Sequence, residues 1–286
     1  MNPFRKFVSD HVRLLRSSNK LPLRTVARLS RPQISPGAPK VLIFSPHPDD
    51  ECIVGGLALR LLRKAKWNVI NVAVTLGSIR ERRTARLREL QKACASLGFG
   101  LVVPDKLGLE RINLESRSRN RGHWREAVTI IARVLAEHRP RVILVPHEHD
   151  CHETHLGTHL LVLDALKTLP RSFKCHVVET EYWGQMKEPN LLIEIRTNEL
   201  ADLIAALACH VGEVRRNAHH ARLPAWMMDN VRRGAELVGG QGRAAPDFAF
   251  ATIYGLRKWT SGRMVDLFAK GKVISQSQNA ATLFRS

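Results

Sequence analysis

Two clusters of histidine and acidic residues each follow directly on a run of apolar residues. The first is Pro46-His47-Pro48-Asp49-Asp50-Glu51, after residues 41–44, and the second spans residues 147–159, after residues 142–146. Imidazole nitrogens and carboxylate oxygens suit a catalytic zinc, which three protein groups hold while a fourth position stays open to water. A spare carboxylate beside the ligands can act as a general base toward that water. The clusters therefore predict a hydrolytic metal site if the fold brings them together.

The spacing within each cluster narrows the choice of ligands without settling it. His47 and Asp50 are three residues apart on a tight turn, so both could bind one ion. His152, His155 and His159 have i, i+3, i+7 spacing, which predicts that they share one helix face. Spacing alone does not tell whether Asp49 or Asp50 is the ligand.

The elements that must position these residues alternate between apolar strands and helical patterns. Continuous apolar strands of this kind predict an α/β fold, a Rossmann-like doubly wound, mostly parallel sheet with helices on both faces. Ligands of such sheets bind beyond the carboxyl ends of the strands, where the strand order reverses. A strand order of 3-2-1-4-5 would put both clusters at that reversal. Residues 106–122 are polar and basic without a clean period, and they predict a long loop.

The charge of the chain is strongly positive. Its 286 residues include 45 Lys or Arg and 26 Asp or Glu, a formal net charge of +19, which favours anionic partners. Residues 1–40 carry nine of the basic residues and end in a Pro-rich stretch, so we predict a basic N-terminal appendage and linker. Residues 41–286 are predicted to form a single domain, of which 190–286 is the less clearly patterned part.

The sequence also bears on the cellular compartment. Five cysteines without a C-x-x-C pair indicate reduced thiols. No apolar run approaches the ~18 residues that span a bilayer, and the N-terminus lacks the apolar core of a signal peptide. We therefore predict a cytoplasmic protein. Apolar residues among the basic ones of segment 1–40 leave open an amphipathic helix that contacts a membrane or a partner, or a loosely ordered tail.

The first cluster resembles the signature of the PIG-L/LmbE-like zinc-dependent N-deacetylases, N-acetylglucosaminyl deacetylase-like enzymes in which it ends the first strand. The second cluster and the residues between the two also fit the family pattern, through Asp150-x-His152-x-x-His155-x-x-x-His159, Thr75-Leu76, Arg86-x-x-Glu89 and Leu97-Gly98. The resemblance covers roughly residues 40–200. The sequence departs from the family at Glu153-Thr154, where Pro-Asp is usual, and at Gly212-Glu213, where Ser-Gln is usual.

The resemblance implies a function and assigns roles. It implies metal-dependent hydrolysis of the N-acetyl amide of an N-acetylglucosamine-type sugar or its conjugate, which releases a carboxylate and a free amine. His47, Asp50 and His155 would bind Zn²⁺, or another divalent metal such as Fe²⁺. Asp49 would be the general base and later the acid toward the departing amine, and His152 would stabilise the oxyanion. The charge excess adds the expectation of an anionic or lipid-linked conjugate.

Four further residues are candidates for binding substrate. Arg80, Arg83 and Arg86 lie on the predicted helix after the second strand, whose start opens toward the same rim. A solvated helix face is the other interpretation of these arginines. Trp183 follows the fifth strand, where it would either stack on a sugar ring or pack in the core.

Two other functions remain open from the residues alone. A metal-dependent phosphoesterase suits Asp and His ligands, but a two-metal version needs further ligands, and only His149, Asp150 and His159 lie nearby. A basic module that binds nucleic acid or membrane would carry a degenerate site. The aromatic residues of this chain are not interleaved with basic residues, as they would be in a surface that stacks on bases. No specific nucleic acid is therefore expected as a partner. Homo-oligomerisation stays open.

Overall fold

A computed structural model of the chain describes residues 2–18, 20–23 and 31–285. The predicted basic appendage, residues 1–40, falls partly on residues 24–30, which lie outside the described residues. The strands are β1 (Lys40–Ser45), β2 (Asn68–Ala73), β3 (Gly100–Val102), β4 (Val142–Pro146), β5 (Cys175–Thr180), β6 (Leu191–Ile195), β7 (Phe250–Thr260), β8 (Arg263–Asp266) and β9 (Lys272–Ile274). The α-helices are α1 (Phe4–Ser18), α2 (Asp50–Ile53), α3 (Gly56–Ala65), α4 (Arg80–Leu97), α5 (Leu114–Arg119), α6 (Arg121–His138), α7 (Glu153–Thr168), α8 (Thr197–Leu207), α9 (Val211–Val214) and α10 (His219–Leu237).

The strands form one mixed sheet with the order β3-β2-β1-β4-β5-β7-β6-β9, and β8 pairs with β7. The first five strands are mutually parallel, whereas β7 runs antiparallel to β5 and β6. The predicted α/β class is therefore confirmed, and the first five strands have the order 3-2-1-4-5 that would put both clusters at the reversal. The order reverses between β1 and β4, and the two His/Asp clusters follow these two strands.

Strand β1 is apolar throughout because it is covered by helices on both faces. Its side chains alternate between two cores: Val41 and Ile43 pack with α3, α4 and α8, whereas Leu42 and Phe44 pack with α6 and α7. All four are fully buried. Burial on both faces is the reason that a parallel strand shows a continuous apolar run rather than an alternating one.

The C-terminal part of the chain continues the same sheet and closes over the helices that follow β1. Tyr254 on β7 donates its hydroxyl hydrogen to the carbonyl of Val54 at 2.8 Å and accepts the N–H of Leu57 at 3.2 Å. The fully buried guanidinium of Arg60 on α3 donates to carbonyls of residues 274–278, among them that of Gln278 at 2.5 Å. These contacts hold the first site motif against strands about two hundred residues away in sequence.

Two expectations about elements were wrong. The segment 106–122 is not one long loop, since it contains α5 and the start of α6. The side-chain oxygens of Asn113 and Asn120 cap these helices by accepting the N–H groups of Ser116 and His123. Helix α5 is too short to show an apolar period. The apolar residues among 250–259 also predict a final strand there, but β8 and β9 follow this strand, β7.

Of the two alternatives for the N-terminus, the structure shows the helix, α1, rather than a loosely ordered tail. Its apolar side chains point away from the rest of the protein, and Phe7 and Leu14 are 62% and 72% exposed. Contact of α1 with a membrane stays a prediction. Within the described residues, none of the helices combines the length and the apolar character that crossing a membrane requires.

Candidate active site

The turn after β1 positions the first cluster through a strained backbone. Asp49 has a φ of 109°, in the region that disfavours side chains other than glycine. The buried carboxylate of Glu51 holds this conformation by accepting the N–H of Asp49 at 3.0 Å. Glu51 in turn accepts a hydrogen bond of 2.8 Å from Nε2 of the buried His210. Strain of this kind costs on the order of 1–3 kcal/mol and persists where the surroundings enforce it. Here it turns the Asp49 side chain into a cavity above the sheet.

Three donor atoms from the two clusters converge beside Asp49. Nδ1 of His47 lies 3.5 Å from Oδ2 of Asp50, Nε2 of His155 lies 3.5 Å from the same oxygen, and the two nitrogens are 3.3 Å apart. Ligands about 2.1 Å from a tetrahedral zinc are ~3.4 Å from one another. The three atoms therefore have the spacing of one face of a zinc tetrahedron. The residues present fit a divalent metal of this kind.

Asp150 supports this arrangement from behind. Its Oδ2 lies 3.5 Å from Nδ1 of His155, and its carboxylate accepts the N–H groups of His152 at 2.9 Å and Trp183 at 3.3 Å. A carboxylate on the far nitrogen of a histidine orients the ring and raises its basicity toward a metal. Burial lowers the pKa of His155, but the carboxylates of Asp50 and Asp150 outweigh it and raise that pKa above its usual value. The pocket thus favours a cation.

His152 lies at the start of α7, where it acts as the N-cap. Its backbone is extended, and its Nδ1 accepts the N–H of Thr154 at 3.2 Å. In the neutral ring the proton then resides on Nε2. Burial, together with the neighbouring His47 and His155, lowers the pKa of His152 and favours this neutral form. His152 therefore presents an N–H donor at the metal pocket, oriented by the backbone of Thr154.

The predicted common helix face of the three histidines is wrong for His152, because that residue precedes the first helical turn. His155 and His159 do lie on α7. His159 is buried and donates from Nδ1 to the carbonyl of Pro146 at 2.8 Å, so it fastens the helix to the end of β4. Only His155 of the two contacts the other cluster.

Asp49 lies in an environment that differs strongly from water. Burial, followed by the charge of Asp50, raises its pKa well above the usual range, and Arg86 opposes this effect. Arg86 donates to the carbonyl of Pro48 at 3.1 Å, so its charge is held next to the turn. A carboxylate with a raised pKa, aimed into a cavity beside three metal-type donors, is suited to exchanging protons with water.

The cavity has a volume of about 750 Å³, and all four candidate substrate-binding residues line it. Arg80 and Arg83 are paired with Glu110, whose pKa falls to about 2 through these hydrogen bonds. The lining contains five arginines and five acidic residues: Arg80, Arg83, Arg86, Arg111 and Arg216 against Asp49, Asp50, Glu110, Glu153 and Glu213. The formal charges of these residues therefore balance. The net charge of +19 does not derive from this cavity.

Trp183 lies at the mouth of the cavity rather than in the core. Its side chain is exposed, and its ring lies 5.2 Å from the ring of His219 between centroids. Neither His219 nor Glu110 belongs to a local sequence motif, because their partners are distant in sequence. Glu213 stands out in the sequence as a departure from the family pattern, and the structure places it in the cavity wall beside Arg216.

The wall formed by residues 110–113 depends on a glycine in α7. A Cβ on Gly157 would lie 2.3 Å from the carbonyl oxygen of Ile112. Gly157→Ala is therefore expected to lower the free energy of unfolding by about 1–3 kcal/mol, since the wall must move away from the helix. Urea unfolding followed by circular dichroism measures this effect.

Gly122→Ala is the matched control, because Gly122 lies in α6 with no atom within 4 Å of the added Cβ. Alanine in an open helical position is expected to stabilise the protein by about 0.5–1 kcal/mol. Equal effects of the two substitutions would show that the close approach at Gly157 does not constrain the wall.

The fold and the site together define a Rossmann-like α/β protein with a metal-type His/Asp cluster at the reversal of strand order. Residues 42–166, which contain both clusters, match the family model described as PIG-L, GlcNAc-PI de-N-acetylase. The resemblance to the PIG-L family predicted from the sequence is thereby confirmed over this segment. No curated protein matches the chain.

Solved structures with a similar fold carry out more than one reaction. The chain is similar to an N,N'-diacetylchitobiose deacetylase from Pyrococcus horikoshii, with a TM-score of 0.56 and 17% identity over 90% of this chain and 94% of that chain. It is also similar to a 4-carboxy-2-hydroxymuconate hydratase from Pseudomonas putida, with a TM-score of 0.55 and 16% identity over 81% and 100% of the two chains. A conserved protein from Thermus thermophilus gives a TM-score of 0.56 and 19% identity over 75% and 93%. At these identities the likeness establishes the fold, and the chemistry must be argued from the site.

Proposed function

We propose that this protein is a metal-dependent N-deacetylase that hydrolyses the N-acetyl amide of an N-acetylglucosamine-type sugar or its conjugate. The observation that carries the proposal is the convergence of His47, Asp50 and His155 at 3.3–3.5 Å, with Asp49 beside them at the cavity wall. The description of the matching family model, a de-N-acetylase, supports the same reaction.

The chain supplies the groups that amide hydrolysis needs. Zn²⁺, or another divalent metal such as Fe²⁺, held by His47, Asp50 and His155 would provide a Lewis acid at this position. Asp49 accepts a proton from the attacking water and then donates it to the departing nitrogen, so that a carboxylate and a primary amine leave. The Nε2–H of His152 donates to the oxygen on which negative charge develops.

The role of His152 rests on a neutral ring. In the family pattern an aspartate stands where this chain has Thr154. Here the backbone N–H of Thr154 occupies Nδ1 and leaves Nε2 as the donor. A neutral N–H donor is sufficient to stabilise an oxyanion if it is aimed in advance.

The shape of the cavity supports a sugar conjugate as the substrate. A volume of about 750 Å³ is large enough for a sugar ring with part of its aglycone. The balanced charges do not by themselves select an anionic aglycone. Arg111, which is exposed and makes no ion pair among the described residues, would contact an acidic substituent. A lipid-linked conjugate would also use α1, whose apolar side chains lie exposed among basic residues.

Trp183 is expected to bind the sugar ring by stacking. Trp183→Ala should raise KM for an N-acetylglucosamine conjugate about tenfold with little change in kcat, because the lost stacking contact is worth roughly 0.5–1.5 kcal/mol. Trp183→Phe retains an aromatic face and is the conservative control. Steady-state kinetics of both variants measure the effect. An unchanged KM in Trp183→Ala, or a loss in kcat alone, would contradict the stacking role.

The proposal is tested by measuring amine release from N-acetylglucosamine, N,N'-diacetylchitobiose and an inositol-linked N-acetylglucosamine. The purified protein is loaded with one equivalent of zinc and compared with the same protein in excess chelator. Amine release that depends on the metal is the expected result. A metal-loaded protein that releases no amine from any of these compounds would contradict the proposal. Loss of substrate without amine release would indicate cleavage of a bond other than the amide.

The phosphoesterase alternative finds less support in the site. The candidate ligands for a second metal do not converge, since Asp150 faces His155 and His159 faces the carbonyl of Pro146. His149 is exposed. One bound metal per chain is therefore expected.

A further inference from the structure

A second cavity lies at the opposite edge of the sheet from the candidate active site, where the parallel strands begin. Its volume is about 490 Å³. Basic residues dominate its lining: Lys40, His138, Arg139, Arg141, Lys174, His176 and Lys258. The lining contains no acidic residue among the part of the chain that the structure describes. This composition contrasts with the balanced charges of the first cavity.

Four neighbouring strands bring the basic residues together. The N–H of Arg141 donates to the carbonyl of Lys40 at 2.9 Å, and the N–H of His176 donates to the carbonyl of Arg141 at 2.9 Å. Lys258 on β7 is the direct partner of His176 in the β5–β7 ladder. Since adjacent strands are about 4.8 Å apart, these residues form a row about 14 Å long across the edge of the sheet.

The charges in this row are not compensated within the described protein. None of Lys40, Arg139, Arg141, Lys174 and Lys258 belongs to an ion pair among the described residues. The C-terminus of α6 points into the cavity, but a helix end carries only about half a negative charge.

The pKa values of the two histidines in the lining are lowered, in part by the neighbouring cations. Burial lowers the pKa of His138, the carboxylate of Glu137 opposes this effect, and Lys40 lowers the pKa further. Burial likewise lowers the pKa of His176, to which Lys258 and Arg141 contribute. Mutual repulsion of this kind destabilises the folded protein unless an anion occupies the cavity.

We propose that this cavity is a binding site for a phosphate-bearing anion with two or more negative charges. Five Lys and Arg side chains around one concave space provide charge-assisted donors that phosphate oxygens accept. Arg141 uses one of its N–H groups to donate to the carbonyl of Phe284 at 3.1 Å and keeps the others for a ligand. The volume lies in the range of small-molecule sites. The site is on the far edge of the sheet from Asp49, so it is independent of the proposed deacetylation.

The test uses pyrophosphate as the probe at constant ionic strength. Millimolar pyrophosphate is expected to raise the Tm of the full-length protein by about 3 °C or more, because a ligand that binds the folded state alone stabilises it. The double variant Lys40→Gln/Lys258→Gln is expected to lose this shift and to bind pyrophosphate about tenfold more weakly by isothermal titration calorimetry.

Two control variants separate this site from other effects. Arg88→Gln/Lys92→Gln removes the same charge from the exposed face of α4 and should keep the shift. Asp50→Ala, in the candidate metal site, should also keep the Tm shift. If pyrophosphate bound at the metal site and not in the basic cavity, Asp50→Ala would lose the shift. A shift that is absent, or equal in the two double variants, would overturn the proposal.

A second arm of the test distinguishes a soluble ligand from a lipid headgroup. Phosphatidylcholine vesicles with and without phosphatidic acid are sedimented with the protein. Co-sedimentation that needs phosphatidic acid and that Lys40→Gln/Lys258→Gln abolishes would assign the site to a lipid phosphate. A pyrophosphate shift without such co-sedimentation would assign it to a soluble phosphate compound. Both outcomes support a phosphate site at this edge.

Discussion

Asp49→Asn is expected to lower kcat for amine release by about 10²–10⁴-fold, the usual contribution of general acid–base catalysis. Asparagine has nearly the same shape as aspartate and tolerates a positive φ better than most residues, so the turn at φ 109° should survive. The amide cannot accept the proton of the attacking water. Zinc content per chain, measured by metal analysis, should stay unchanged.

Asp105→Asn is the matched control, since Asp105 is an exposed aspartate outside the lining of the active-site cavity. It should retain full activity. More than about a tenth of the wild-type rate in Asp49→Asn would exclude Asp49 as the general base. Loss of zinc from that variant would instead identify Asp49 as a metal ligand, which spacing in the sequence left open.

Loss of the metal is the second large effect, and Asp50→Ala is expected to cause it. Oδ2 of Asp50 lies 3.5 Å from both imidazole donors, so its removal leaves two of three ligands. Zinc affinity should fall by more than about a hundredfold, because even outer-shell partners of a metal site contribute 10–100-fold. Amine release should fall with the zinc content and should not return at stoichiometric zinc.

His152→Ala distinguishes the two ways in which these residues could hold a metal. The imidazoles of His47, His152 and His155 also have nitrogens within 4.8 Å of one another. If Asp50 is the third ligand and His152 the oxyanion donor, His152→Ala keeps the zinc and loses about 10²–10³-fold in kcat. Zinc loss in His152→Ala, with retention in Asp50→Ala, would reverse the assignment. Circular dichroism of both variants verifies that they are folded.

The distribution of charge changes the interpretation of the basic composition. Arginines in the wall of the candidate active-site cavity form ion pairs with acidic residues, as Arg83 does with Glu110 and Arg216 with Glu213. Their charges are therefore partly compensated within the protein. The uncompensated cations lie at the other edge of the sheet, around Lys40 and Lys258. A net charge alone could not locate either group, because pairing depends on residues that are distant in sequence.

The sequence by itself determined the α/β class and the candidate residues of the site. Strands such as β1 and β4 are short apolar runs whose character is local, and the clusters that follow them are contiguous in the chain. The strand order entered only as a condition, because the winding of parallel sheets allows the order 3-2-1-4-5 without requiring it. The strands and clusters depend on neighbouring residues, whereas the order β3-β2-β1-β4-β5 depends on how the strands pair.

The tertiary structure alone decided which atoms act together. The candidate metal ligands lie 3.3–3.5 Å apart although they are about a hundred positions apart in the sequence. The left-handed backbone conformation of Asp49 is held by a hydrogen bond to Glu51, which in turn accepts one from His210. His152 receives its orientation from a backbone N–H that no residue type encodes. The pairing of the C-terminal strands likewise depends on long-range contacts. The apolar periodicity of the sequence shows which face of a helix or strand is buried. It does not show which polar groups form hydrogen bonds or ion pairs, because their partners come from distant parts of the chain.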